Sequence, residues 1–408
     1  MTSVEAGLGS GDAELVRECR RRAIDLLRAN LGPAGMLAAT PTAQARERRY
    51  DAVFARDAAV CTLAMLRSGE PDLVEGVRTG LRSLAGRQAD NGQVPKFFHP
   101  GEPGADFWYV GCIDATLWWL IALDEFERHR PECRLRDELQ AHVERAITWL
   151  RCQEHPQLCL LTQNEASDWA DIMPRSGFVL YSNALWHDVK RRYALPAPEE
   201  TAHHFNHLFF PFTPDLPEYR RLRLLGHYVR NRARHRDLYL SFVNFSFWGE
   251  EGDVLGNLLA VLLGLADEDR ARSIVRALTT AGVDAVWPVR AVCRPVAPGS
   301  KFWRAYMERH RQNLVWQYHN GGCWPFIGGF WVLTLAALGE RERAAAALVQ
   351  LARANAAGDW AFTEWFHGQT GEPRGMRGQS WSAAMFLLAL DGLDRRVFPG
   401  GQPAGMPS

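Results

Sequence analysis

The chain of 408 residues reads as an all-α protein, an (α/α)6 toroid of six helical hairpins. Three observations predict that fold. Apolar residues recur with a helical period in about a dozen segments. Strand-like alternation is nearly absent. The polar and aromatic clusters fall in longer loops between paired helices, as they would at one end of such a barrel. The first helix is read over 12–31, where Leu15, Cys19, Ala23, Leu26 and Leu27 share a face and Asp12 serves as N-cap. Further helices are read at 56–67, 72–89, 113–129, 136–153, 177–193, 214–233, 254–265, 268–280, 322–338, 341–356 and 379–391. The best strand candidate, 238–248, is short and isolated. No linker divides the chain, so residues 1–398 read as one catalytic domain and 399–408 as a disordered tail.

Composition narrows the function. The 47 Lys+Arg balance the 47 Asp+Glu, which disfavours a nucleic-acid partner and a polybasic membrane anchor. The longest apolar runs, 257–266 and 326–339, are too short to span a bilayer, and the N-terminus carries no charged-then-apolar leader. A cytoplasmic, soluble protein is expected. Eight scattered cysteines without CxxC spacing read as buried free thiols, not a disulfide frame or zinc site. Only Lys96, Lys190 and Lys301 are lysines; the other 44 cations are Arg, a bias that GC-rich codon usage explains. The 15 Trp, 9 Tyr and 20 Phe are unusually many, and suggest a lined cavity for a flat ligand such as a sugar, a base or a terpene.

Five loops place polar groups among these aromatics. In 48–60, Arg56-Asp57 opens an apolar helix as either an ion pair or a ligand clamp. In 106–123, Asp114 is followed by Trp118 and Trp119; with Trp108 and Tyr109 these are stacking candidates, although one of the adjacent tryptophans belongs to the core. In 163–186, Glu165, Asp168 and Asp171 lie beside Trp169, the setting of a raised-pKa acid, or Asp168 caps a turn. In 315–331, His319-Asn320-Gly321-Gly322 forms a tight turn before a helix beginning near Trp324-Pro325. His319 and Asn320 there are candidates for sugar hydroxyls, or His319 is structural. In 359–390, Glu364 sits in an aromatic loop as a candidate base or a solvated carboxylate, and Gln379-Ser380-Trp381 opens the last helix. Two distant carboxylates, Asp171 and Glu364, facing a tryptophan-lined pocket describe a glycosidase.

These residues also resemble those of the alkaline/neutral invertases, glycoside hydrolases on the α/α toroid. YDAVFARD (50–57) is similar to that family's YDxVFVRD, and Asp114 with Leu117-Trp118-Trp119 to its VDSGLWW. Leu255-Gly256-Asn257 resembles its LGN segment, and YHNGGCWP (318–325) differs from YHNGGSWP at one position. Phe362–Trp365 with Gly368, Gly371 and Gln379–Ser382 resembles WPEYYDGxxG…QTWS. The resemblance implies that Asp171 is the general acid and Glu364 the general base of an inverting hydrolase of a small α-glucoside, sucrose-like by preference. Around the acid, Trp169-Ala170-Asp171, Pro174-Arg175 and Asn183–Trp186 are also similar to debranching-type glucosidases, which favours Asp171 over Asp168. Tyr50, Arg56, Asp57, Asp114, Trp118, Trp169, Arg175, Asn183, His319, Asn320, Trp324, Gln379 and Trp381 are then expected to bind the sugar. No metal and no cofactor is called for, and a homo-oligomer is compatible with the sequence.

Three departures bear on the substrate. A PLEIQ-like segment after the family's acid is replaced by Val179–Asn183, so a sugar-contacting carboxylate is missing. Asn244 stands where the family's MDFRWF has aspartate, and 190–240 match poorly. A glucosylglycerate, an α-1,6-linked glucoside, or a non-catalytic sugar-binding relative are therefore alternatives. A zinc-dependent toroid would need cysteine and histidine ligands, for which only Cys323 near His319 offers a start.

Overall fold

The computed structural model describes residues 7–108, 111–213, 220–245 and 247–398. Thirteen helices of eight or more residues are described: α1 Ser10–Asn30, α2 Ala55–Met65, α3 Pro71–Ala85, α4 Ile113–His129, α5 Gln140–Gln153, α6 Leu180–Arg192, α7 Pro198–Phe209, α8 Arg220–Arg232, α9 Val254–Leu262, α10 Glu268–Thr280, α11 Pro325–Ala337, α12 Arg341–Trp360 and α13 Ser380–Gly392. Six of them close a ring in which α2 packs on α4, α4 on α6, α6 on α9, α9 on α11, α11 on α13, and α13 back on α2. Outside that ring α3, α5, α7, α10 and α12 each pack on an inner helix, and α1 covers α13 and α12. This is the expected (α/α)6 toroid.

Patterning decides which helix goes where. The inner helices are buried on all faces: α9 is buried throughout, and α4 from Ile113 to Phe126. An all-round apolar helix must be enclosed. The outer helices are amphipathic. In α1 only a stripe including Val16, Cys19, Ala23 and Leu27 is buried, and in α3 one including Leu73, Val77, Leu81 and Leu84. Inner helices α2, α4, α6 and α13 end at a buried ion network that closes one mouth of the barrel. There Arg192 reaches Asp124 at 2.9 Å, Glu125 at 2.7 Å and Asp188 at 2.6 Å, while Arg67 reaches Glu125 at 3.2 Å and Asp391 of α13 at 3.9 Å. Their N-termini therefore share the other mouth, with the positive ends of their dipoles turned toward it.

Several expectations change. Helix α1 begins at Ser10 behind Gly9, so Asp12 sits inside the first turn and pairs with Arg353 at 2.9 Å instead of capping. Residues 177–179 extend as a strand before α6 starts at Leu180. The strand candidate at 238–248 is not isolated. Phe242–Asn244 pairs with both Gly177–Val179 and Phe247–Trp248, and Thr162–Gln163 completes a four-stranded sheet. Helix α7 is not among the segments read as helices; Pro198 occupies its first turn, where no intrahelical hydrogen bond from N–H is needed. Of the cysteines, Cys152 is exposed and Cys133 and Cys159 are half-buried; all eight are free. Tyr109, residues 214–219 and the 399–408 tail lie outside the described residues. Among the described residues no helix is long and apolar enough to cross a membrane.

Candidate active site

The two singled-out carboxylates share one neighbourhood: the Glu364 carboxyl feels the charge of Asp171, and the Tyr318 hydroxyl feels both. Glu364 lies in the turn before the Trp365–Phe366 strand and is 4% exposed. Its Oε1 accepts from the Tyr50 hydroxyl at 2.7 Å and its Oε2 from the Met376 amide at 2.9 Å. Gly375 makes this possible: it has a positive φ of 74°, and a Cβ there would lie 2.4 Å from Oε2. Burial pushes the Glu364 carboxyl up to about 7 against these two hydrogen bonds, with Asp57 and Asp171 adding to the rise.

Asp171 behaves oppositely. Its side chain is 19% exposed, and Lys96 Nζ donates to its Oδ2 at 2.6 Å. Burial raises this carboxyl, but Lys96, then His319, outweigh it and hold the group below its ordinary value. The expectation of a raised-pKa acid at this position is thus reversed in the free protein, because the sequence pattern did not reveal the ammonium. Asp168 is the raised one, through burial. Both its oxygens are committed, Oδ1 to the Ala170 amide at 2.8 Å and Oδ2 to Gln163 at 3.0 Å, so Asp168 shapes the loop. Glu165 is drawn outward to Arg304 at 2.9 Å.

The remaining candidates divide into two groups. The first has buried polar atoms that no hydrogen bond within the protein satisfies. They are His319 Nδ1, both side-chain polar atoms of Gln379, and the indole nitrogens of Trp169, Trp365 and Trp381; Arg56 Nε and Asp57 Oδ2 also lack a hydrogen bond but pair with each other as ions at 3.5 Å. His319 stacks on Trp324 at 5.3 Å, and burial pushes it down to about 3, so it is a neutral imidazole. Arg56 lies over Trp381, which stacks on Phe326 at 4.0 Å.

The second group builds the walls. Asp114 is fully buried and accepts from Arg56 at 3.1 Å and Tyr181 at 2.9 Å; Trp118 donates to that tyrosine at 2.7 Å. Trp119 donates to the Leu81 carbonyl at 3.2 Å, so both adjacent tryptophans are buried. Asn183 ties Leu161 and Val179, and Asn320 ties Val296 and Asn313, leaving neither amide free for a ligand. Trp324 donates to the Tyr318 carbonyl at 2.9 Å. Arg175 is buried in ion pairs with Asp253 at 3.2 Å and Glu251 at 3.7 Å. Sequence reasoning missed Lys96, Tyr318 and Asp253. Tyr318 stands inside the YHNGG motif and lies within reach of both carboxylates. Cys323 is fully buried with its thiol pushed up to about 12 by burial, which does not suit a zinc ligand. Among the described residues no group of three His, Cys, Asp or Glu could hold a metal.

A sequence model of the family described as alkaline and neutral invertase matches residues 243–395. Among curated proteins, probable alkaline/neutral invertase D of Arabidopsis thaliana is 25% identical over 88% of this chain and 78% of its own length. Cytosolic invertase 1 of Oryza sativa subsp. japonica is 22% identical over 91% of this chain and 76% of its own. Other relatives are named chloroplastic or mitochondrial. Among solved structures, the mannosylglycerate hydrolase of Thermus thermophilus, crystallised with glucose, covers 91% of this chain and 99% of its own at 15% identity and a TM-score of 0.62. A glycosidase variant in complex with glucose covers 96% of this chain and 100% of its own at 16% identity and a TM-score of 0.61. The resemblance read from the five motifs holds: the chain is similar to the alkaline/neutral invertases over most of its length, and it shares its six-hairpin helical toroid with solved glycosidases.

Proposed function

We propose that the chain hydrolyses a small α-glucoside with inversion at the anomeric carbon, Asp171 protonating the leaving oxygen and Glu364 activating water. The observation that carries this reading is the set of buried, unsatisfied polar atoms beside the two carboxylates. Buried donors and acceptors that no protein group satisfies call for a polar partner, and a sugar ring with a hydroxyl on nearly every carbon supplies one. A cytoplasmic setting fits the relatives named cytosolic and stays part of the proposal.

The pair titrates as a unit. The reactive form carries one proton, on Asp171, with Glu364 ionised. In the free protein that proton rests mostly on Glu364, whose carboxyl is pushed up to about 7. Loss of that last proton should therefore bring kcat/KM down above about pH 7. Tyr50→Phe removes a hydrogen bond that lowers Glu364, so this alkaline limb should move to higher pH; a limb that stays put or moves down would detach Tyr50 from the base.

Sucrose leads among substrates by the motif resemblance. A glucoside of glycerate is the second reading, supported by the mannosylglycerate hydrolase that shares the fold and was solved with D-glycerate. Incubation with sucrose, glucosylglycerate and isomaltose, followed by anomer-resolved proton NMR, tests both the substrate and the stereochemistry. Release of β-glucose first supports inversion, and α-glucose first overturns it.

A further inference from the structure

Lysine is nearly absent from this protein, with three against 44 arginines, yet one of the three is at the site. Lys96 is 4% exposed, and its backbone is held on both sides, its amide donating to the Asp106 carbonyl and its carbonyl accepting from Ala55. The ammonium sits 3.3 Å from the centre of the Trp108 ring and donates to Asp171 Oδ2 at 2.6 Å. The other oxygen, Oδ1, is left toward His319, whose Nδ1 lies 3.8 Å away. A guanidinium grips a carboxylate by both oxygens through its planar fork, whereas an ammonium is a point donor that can hold one.

We propose that Lys96 is the positioning residue of the acid, holding Asp171 by Oδ2 and leaving Oδ1 free to meet the glycosidic oxygen. The inference rests on the reading of Asp171 as general acid. In the productive form the proton is on Oδ1; it passes to the leaving oxygen as the glycosidic bond breaks, and the Asp171 carboxylate that remains is stabilised by Lys96. Besides Lys96 and His319, the charged or titratable groups that face this carboxyl are Arg56, Glu364, Tyr50 and Tyr318.

The test compares Lys96→Met, Lys96→Arg and Asp171→Asn, each checked for the wild-type circular-dichroism spectrum. The substrates are α-glucosyl fluoride, which needs little proton donation, and an alkyl α-glucoside, which needs much. Asp171→Asn should raise the fluoride-over-alkyl ratio of kcat/KM on the order of 10²-fold or more. Both Lys96 variants should raise it about tenfold, since a misaligned acid still donates. Lys96→Met should also move the acidic limb of the pH profile upward, because the ionised carboxyl loses its cation, while Lys96→Arg should leave that limb in place. If Asp171→Asn slows both substrates equally, the acid assignment itself falls. If Asp171→Asn shows the expected pattern but the Lys96 variants slow both substrates alike, or leave the ratio and the limb unmoved, the positioning role alone is overturned. Should Lys96→Met fail to fold, Lys96→Arg decides by the ratio.

Discussion

Glu364→Gln should lose activity on the order of 10³-fold and yet gain stability in alkaline solution. The activity loss follows from the proposed role, since an amide cannot take a proton from water. The stability gain follows from burial. The Glu364 carboxyl rises from 4.5 to about 7 in the folded protein. A group raised on folding contributes stability that is complete below its unfolded value, here about 4.5, and is lost as pH climbs through about 7. The wild type should therefore lose about 3 kcal/mol, as an upper figure, between those limits, and the glutamine variant should not. The amide also mismatches one neighbour, because Oε1 and Oε2 each accept a hydrogen in the native protein. That mismatch costs the same at every pH, so the difference between variant and wild type at pH 8 minus the difference at pH 4 isolates the carboxyl. Urea denaturation at both values measures it. Equal differences would mean that Glu364 is not held in a desolvated pocket, and a hydrolytically active variant would remove it from the base role.

A destabilising carboxyl in a region otherwise well packed is what a functional site looks like, where local rules are broken for chemistry. Much of this was legible in the sequence because the inner ring imposes a strong pattern. Helices buried on every face have to be apolar all round, and the polar exceptions, Arg56, Asp57 and Asp114, stand out against that background. Glu364 and Asp171 were legible as carboxylates among indoles. What escaped was whatever depends on contacts between distant segments. Lys96 sits 75 residues from Asp171 in a proline-flanked loop with no carboxylate beside it, so nothing local marks it. Without that cation the pattern around Trp169 suggests a raised acid, and the structure has the reverse. Asn183 and Asn320 drew attention as sugar ligands because a single sequence does not distinguish an amide that ties two loops from one that faces a ligand. The strand at Phe242–Asn244 was legible within 238–248, but its sheet was not, because its partner strands are three and two residues long, too short to show alternation. Helix α7 escaped because the prolines flanking its start read as breakers, although one of them begins the helix.

Arg56→Met should be among the most destabilising single changes in the chain, by about 3–5 kcal/mol, with the loss arising from the carboxylates it leaves behind. Arg56 is 9% exposed at the side chain, and its Nη1 reaches Asp114, which has no exposure at all, at 3.1 Å; its Nε lies 3.5 Å from Asp57. Asp57 is already pushed up to about 6 by burial, with Arg56 the main influence pulling it back. Removing the guanidinium strands two buried carboxyls, one of them against the Cys112 thiol. The same arithmetic predicts a partial rescue. In Arg56→Met/Asp114→Asn the second change removes one stranded charge while its amide oxygen can still accept from Tyr181, so the double variant should be more stable than Arg56→Met alone. A thermodynamic cycle over the four proteins, by urea denaturation at pH 7, should give a coupling of about 1 kcal/mol or more, on the order found for residues in one buried network. Additive losses would show that Arg56 and Asp114 act separately. A loss below about 1 kcal/mol for Arg56→Met, accompanied by a raised KM, would mean that the arginine serves the sugar directly and that the wall it forms with Asp114 and Tyr181 holds without it.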